Sequence, residues 1–294
     1  MTSQAESPTN TQYGVNTQYG VNGVDFSHPA QWGLFLAIGL LAVITVSPLV
    51  WMVSAAFKEP NEIFVPTLLP KSPTLANFRY VFSQLAFLRS VLNTFFVAGT
   101  ITAVALLFHS MAAFALARLR FPGRDVIFLG IFSTLLVSFP VIIVPSFMLV
   151  RQMGMVNSYA GLIVPAIFNA FGIFLLRQFY ISIPRELQEA AIIDGASYWQ
   201  IYWTVILPLS RPILAALAVF LFLANWNSFL WPLTITTDEE LWLVQVAIAT
   251  FHDEYAAQWN YVVAASTVVA SPTLILFFLF QQKLIEAIKI SALK

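Results

Sequence analysis

Cysteine is absent from all 294 residues, which removes disulfides, thiol nucleophiles and Cys-ligated metals. Charge is scarce as well. Asp, Glu, Lys and Arg make up 10% of the chain, against about 25% in a soluble domain. Histidine occurs only at His28, His109 and His252, too far apart in sequence for a metal-ligand spacing. The pattern G-x-x-x-x-G-K-[ST] is missing, so the chain has no usual P-loop to cradle ATP phosphates. Paired carboxylates or a nucleophile beside a base, as a membrane-embedded enzyme would need, are not visible either. A formal net charge of zero suggests no nucleic-acid footprint.

What remains is apolar. Hydrophobic residues make up 59% of the chain and the mean hydropathy is +0.79. Six segments carry no Asp, Glu, Lys or Arg: Trp32–Phe57, Ser90–Ala117, Val126–Val150, Gln152–Leu176, Pro212–Thr237 and Tyr255–Gln282. Each exceeds the roughly 20 residues that cross a hydrocarbon core. Backbone groups in lipid must be satisfied within their own segment, so the expected fold is an all-α integral membrane protein with six transmembrane helices. With a cytosolic N-terminus, nine Lys and Arg lie inside (Arg118, Arg120, Arg124, Arg177, Arg185, Arg211, Lys283, Lys289, Lys294) and five outside (Lys58, Lys71, Arg79, Arg89, Arg151). The positive-inside bias places both termini in the cytosol.

Three parts follow. Residues 1–31 form a polar cytosolic tail with an exact tandem repeat, Thr-Gln-Tyr-Gly-Val-Asn at 11–16 and 17–22. Such a composition predicts disorder, and the basic n-region of a secretory signal is lacking. Residues 32–282 form the six-helix transmembrane domain, and 283–294 a short cationic cytosolic tail. The Pro-rich stretch Lys58–Arg89 reads as an ordered external lid, and Phe121-Pro122-Gly123-Arg124 as a tight cytosolic turn. The external loop Asp238–Asn260 is acidic, with Asp238, Glu239, Glu240, Asp253 and Glu254.

The polar island 181–211 is too long for a plain helix–helix connection, which usually takes about 2–8 residues. Pro184 suits a first helical turn and Glu186 the positive helix start. Leu187, Ala190 and Ala191 fall on one face. Gly195 can end the helix in a left-handed conformation, and Ser197 can cap a second one. Leu207-Pro208 is expected to redirect the chain into the fifth span. The pattern predicts a helix-turn-helix elbow projecting into the cytosol.

Glu189-Ala190-Ala191, Asp194-Gly195-Ala196 and Leu207-Pro208 resemble the coupling loop of the membrane permeases of ATP-binding-cassette (ABC) importers. Phe57-Lys58-Glu59-Pro60, Thr74-Leu75-Ala76-Asn77-Phe78, Ala117-Arg118, Phe121-Pro122-Gly123-Arg124, Trp226-Asn227, Trp231-Pro232-Leu233 and Ser291-Ala292-Leu293-Lys294 are similar to the maltose-type, carbohydrate-uptake branch. Relatives usually have Gly at the place of Ala292 and an acid at that of Ser228. The resemblance implies the importer-permease (MetI-like) fold with a cytosolic coupling helix, in a bacterial inner membrane. It implies a second homologous permease, two ATPase subunits that bind ATP and Mg, and an extracytoplasmic solute-binding protein, with no cofactor in this chain. The coupling contact would be Glu189, Ala190, Ala191, Asp194 and Gly195, with Leu207 and Pro208. The solute would be a sugar or oligosaccharide; the shared coupling loop leaves amino acids and polyamines open.

Two polar groups lie inside the spans. Asn225, Trp226, Asn227 and Ser228 offer amides for hydroxyls and an aromatic face for a sugar path; interhelical glue is the other reading. His109 is an ionisable group in the second span. As a proton site it would mark a secondary transporter; beside Ser110 it reads better as a helix–helix hydrogen bond. Pro140, Pro145 and Pro272 are expected to kink their helices.

Overall fold

The computed structural model describes residues 29–254 and 258–292, and among them every regular element is helical. The tandem repeat, together with Leu293 and Lys294, lies outside the described residues. The described residues divide after Val50 into two compact units. The first contains most of α1 (Pro29–Ala55), which is apolar on every side, the pattern of a membrane span rather than a surface helix.

The second unit is organised around α3 (Leu85–Arg118), whose 34 residues extend about 51 Å. Against it pack α6 (Tyr159–Ile167), α7 (Ala170–Ser182), α11 (Arg211–Trp226) and α13 (Val244–Glu254). Among the described residues four helical stretches are long and apolar enough to cross a membrane: Trp32–Ala55, Ala86–Arg118, Tyr159–Ser182 and Trp259–Gln281. The count reaches six if each of two bent pairs is one span, which matches the six charge-free runs.

Both bends have a proline cause. Arg124–Leu136 and Phe139–Gln152 meet at 107°, with Val137 and Ser138 extended between them. Pro140 has no N–H for the preceding turn, so it starts α5 (Phe139–Gln152) instead of kinking one continuous helix. The stretches Tyr198–Leu209 and Arg211–Trp226 meet at 77°. The turn comes at Ser210, where Pro212 opens α11, and not at Leu207-Pro208 as the sequence suggests. Pro208 instead lies within a helical run behind a π turn, Tyr202–Ile206, which widens the ladder ahead of its missing N–H. The fifth apolar run also breaks beyond Trp226, and a separate α12 (Leu230–Ile235) follows. The last helix, α14 (Trp259–Ala292), continues through most of the expected C-terminal tail.

The two ends of the second unit are tied by different contacts. At one end Gly123, at φ 80°, turns the chain from α3 into α4 (Arg124–Ser133). There Arg177 Nε donates to the Leu116 carbonyl at 3.2 Å, and the Arg177 guanidinium lies 3.8 Å over the Phe128 ring. At the other end the turn before α6 is tied to the acidic loop. Asn157 Oδ1 accepts from the backbone N–H groups of Thr237 and Asp238, each at 3.1 Å.

The Pro-rich segment is an ordered loop, as expected, containing one 3₁₀ turn at Pro60–Glu62 and the short α2 (Ala76–Ser83). Its anchor is unexpected. Lys58 is wholly buried, and its Nζ donates to the carbonyls of Val65 at 2.9 Å and Thr67 at 2.7 Å. Asn77 Nδ2 donates to the carbonyls of Ala56 and Lys58, while its Oδ1 accepts from Asn260 at 2.9 Å. A buried ammonium is tolerated only with such partners.

Candidate coupling site

The elbow begins where α7 ends. Pro184 is the N-cap residue of α8 (Arg185–Ile193) and stands just outside the helix, not within its first turn. At the far end the Gly195 N–H bonds the Ile192 carbonyl at 3.0 Å, and the Ala196 N–H bonds the Ala191 carbonyl at 2.9 Å. With Gly195 at φ 83°, these two bonds make a Schellman motif. Ser197 then caps α9 (Tyr198–Ile201) in a capping box: its hydroxyl accepts from the Gln200 N–H, and the Gln200 side chain accepts from the Ser197 N–H at 2.8 Å. The π turn and α10 (Leu207–Leu209) complete the elbow.

Alpha helix 8 has no buried residue. Glu189, Ala190, Asp194 and Gly195 are exposed, while Ala191, Leu207 and Pro208 are half-buried. Leu187, Ala190 and Ala191 therefore do not present one common face outward. Ala191 and Ala196 pack inward against the core cluster that contains Tyr180, Tyr202 and Ile206. The outward side is apolar and aromatic: Ile193 is 85% exposed and Trp199 56%. Glu189 and Asp194 stand exposed on the same elbow.

Beneath the elbow, buried polar groups hold it to the spans. The Arg118 guanidinium, at the end of α3, donates to the carbonyls of Tyr180 and Ile183. The Tyr202 hydroxyl donates to Ser110 Oγ at 2.9 Å, and Ser110 lies 2.6 Å from the Tyr180 hydroxyl. Sequence reasoning noted Ser110 only as the neighbour of His109 and missed both tyrosines. Arg118 falls inside a motif similar to the importer permeases, which marks the position but not its task.

His109 is buried and serves a break in the helix ladder. Its Nε2 accepts the Asn169 N–H at 3.1 Å, at the junction of α6 and α7. A Cβ on Gly172 would lie 2.3 Å from its Nδ1, so glycine is what lets the imidazole reach the junction. This arrangement is the helix–helix hydrogen bond expected of His109.

The second predicted group is not part of the elbow. The 16 residues of α11, about 24 Å, separate the two. Trp226 is wholly buried, and its indole N–H donates to the Val269 carbonyl at 3.0 Å, so its ring is a packing element and offers no face to a sugar. Asn225 and Asn227 bond the carbonyls of Leu221 and Leu223, each at 2.8 Å. Asn227 is exposed, with its Oδ1 accepting from Gln245 at 3.2 Å, and Ser228 is half-buried. Of the expected path, Asn227 keeps an accessible amide.

Residues 109–289 match the family of binding-protein-dependent transport system inner membrane components. The chain is 32% identical to the arabinooligosaccharides transport system permease protein AraQ of Halalkalibacterium halodurans, over 90% of this chain and 96% of that one. It is 36% identical to the sn-glycerol-3-phosphate transport system permease protein UgpE of Pectobacterium atrosepticum, over 88% and 94%. Among solved structures, a bacterial ABC transporter involved in the import of the acidic polysaccharide alginate contains a chain that superposes with a TM-score of 0.80 at 25% identity, covering 88% of this chain and 99% of that one. In a second alginate transporter structure, in complex with an alginate pentasaccharide-bound periplasmic protein, the TM-score is 0.61 at 18% identity, covering 85% and 93%. The chain belongs to this family of inner membrane transport components.

Proposed function

We propose that this multi-pass member of the family forms half of the translocation pore of an ABC importer for a sugar or oligosaccharide, driven by ATP hydrolysed in separate subunits. The observation that carries the coupling assignment is the elbow itself: a capped helix pair, exposed on its outer side and bonded to the spans on its inner side. Glu189, Ala190, Asp194 and Gly195 form the outer contact, while Ala191, Leu207 and Pro208 seat it. The carbohydrate assignment is supported by the arabinooligosaccharide and alginate transporters to which the chain is similar. The pairing of a similar transporter with a periplasmic protein supports an extracytoplasmic solute-binding partner. Sugar import changes no covalent bond in this chain; ATP bound to the partners shifts the balance of inward- and outward-open states. Both termini are assigned to the cytosol, the side on which the elbow must meet its ATPase.

Purification from native membranes should yield this chain with a second permease and an ATPase, and uptake into proteoliposomes should require ATP. In vesicles that hold the permease stripped of its ATPase, a cysteine placed at Ile193, in a chain that has none, should react with a membrane-impermeant maleimide only from the cytosolic side. Sugar transport by this chain alone, without ATP, would overturn the assignment; labelling from the opposite side would overturn the orientation.

A further inference from the structure

Three hydroxyl-bearing side chains meet in the interior between the elbow and the spans, and the importer assignment leaves them without a task. Tyr202 belongs to the elbow, Ser110 to α3 and Tyr180 to α7. Their exposures are 1%, 1% and 0%. The Tyr202 hydroxyl donates to Ser110 at 2.9 Å, and Ser110 and Tyr180 are 2.6 Å apart.

Ser110 accepts from Tyr202 and shares a second bond with Tyr180 in which either hydroxyl can donate. The chain of bonds therefore runs from the elbow at Tyr202 through α3 at Ser110 to α7 at Tyr180. We infer that this buried hydroxyl chain is the link that carries displacement of the elbow into α3 and α7, and through α3 into α11, which packs against it, with Tyr202 and Ser110 as its positioning residues. The inference rests on the elbow being the ATPase contact.

Two physical arguments favour this link over the apolar packing around it. Apolar contacts such as Phe114 against Tyr202, 5.3 Å between ring centroids, are non-directional and permit sliding. A buried hydrogen bond cannot slide without stranding a donor or acceptor, and a chain of them strengthens cooperatively, so the three groups hold or release together. The link is also anchored twice at Tyr180. Its hydroxyl is held by Ser110, and its backbone carbonyl by Arg118, both from α3. Tyr202 opens the π turn, closed by the Leu207 N–H on the Tyr202 carbonyl, so the same residue fixes the register of the helix that leads to Ser210. Such single π turns recur at functional positions.

The test uses the complete complex with a reporter cysteine at Ala224, exposed near the far end of α11, and N-ethylmaleimide as the probe. ATP with vanadate should change the labelling rate of Ala224→Cys about fivefold or more. Tyr202→Phe keeps the ring and removes one hydroxyl; it should leave assembly and basal ATP hydrolysis intact while the labelling rate no longer responds to ATP. Ser110→Ala should do the same, the pair together should do no more than either alone, and Ser110→Thr, which restores a hydroxyl, should restore the response. A full response in Tyr202→Phe would overturn the link and leave the elbow assignment standing. A reporter that responds normally in Glu189→Lys would remove the elbow assignment and the link with it. A reporter silent in the otherwise native complex would show that no displacement reaches α11, which also overturns the link.

Discussion

Gly195→Val should cut the stimulation of ATP hydrolysis by the solute-binding protein about tenfold, within the range of coupling energies between sites. Uptake should fall with it, at unchanged membrane level. Gly195 holds φ 83°, and a Cβ built there would meet nothing within 4 Å. The cost of a side chain is therefore one of backbone conformation and not of collision. For a β-branched residue it is about 1–2 kcal/mol or more. Relaxing to negative φ breaks the bonds of Gly195 to Ile192 and of Ala196 to Ala191, which set the angle between α8 and α9. The outer face then tilts while Tyr202 and Ser210 stay seated. Gly195→Asn makes the control, because Asn tolerates the left-handed region, and it should keep most of the stimulation. Glu189→Lys reaches the same loss by another route, reversing an exposed charge without touching the fold. Normal stimulation in both Gly195→Val and Glu189→Lys, measured on the purified complex, would show that the elbow is not the coupling element.

The elbow could be read from the sequence because each of its signals has one local cause. A glycine between two helix-prone runs, with Ser197 and Gln200 three residues apart behind it, leaves few alternatives, and the Schellman motif and capping box follow. The apolar runs are equally plain, since uncharged stretches of more than about 20 residues fit a membrane-spanning helix and are too long for the strands of a barrel. Prolines were harder. Pro140, Pro208 and Pro212 each announce a missing donor, but whether the ladder breaks or widens depends on its neighbours; it breaks at Pro140 and Pro212 and widens before Pro208. Trp226 fitted a sugar path and interhelical packing equally well by type, and only its contact with the Val269 carbonyl separates the two. Lys58 looked like a loop cation because the carbonyls that solvate it, Val65 and Thr67, carry no side-chain signal. The hydroxyl chain was out of reach for a similar reason. Ser110 meets Tyr180 from 70 positions away and Tyr202 from 92, and nothing local in the sequence pairs them.

Arg118→Met should instead destabilise the fold, and the contrast with Tyr202→Phe separates holding the elbow from driving it. The Arg118 residue is 9% exposed, and its guanidinium serves the carbonyls of Tyr180 and Ile183, the last before the elbow. A cation at a helix C-terminus is favourable in its own right. Methionine fills similar space but donates nothing, so the Ile183 carbonyl loses its partner at about 1–3 kcal/mol, while the Tyr180 carbonyl keeps only the long bond from the Ile183 N–H at 3.3 Å. That is a large part of the roughly 5–15 kcal/mol that stabilises a folded domain. Replacing a buried charge by an apolar residue can be neutral when its partners leave with it; here the carbonyls belong to the backbone and remain. The thermal midpoint of the purified complex should drop and less of the chain should reach the membrane. Arg118→Lys keeps the charge and some donors and should recover part of both. Ser110 and Tyr202 would still face each other, so whatever Arg118→Met complex assembles should retain partial ATP-driven movement of the α11 reporter. An unchanged midpoint in size-exclusion profiles after graded heating would mean that the end of α7 is held without Arg118.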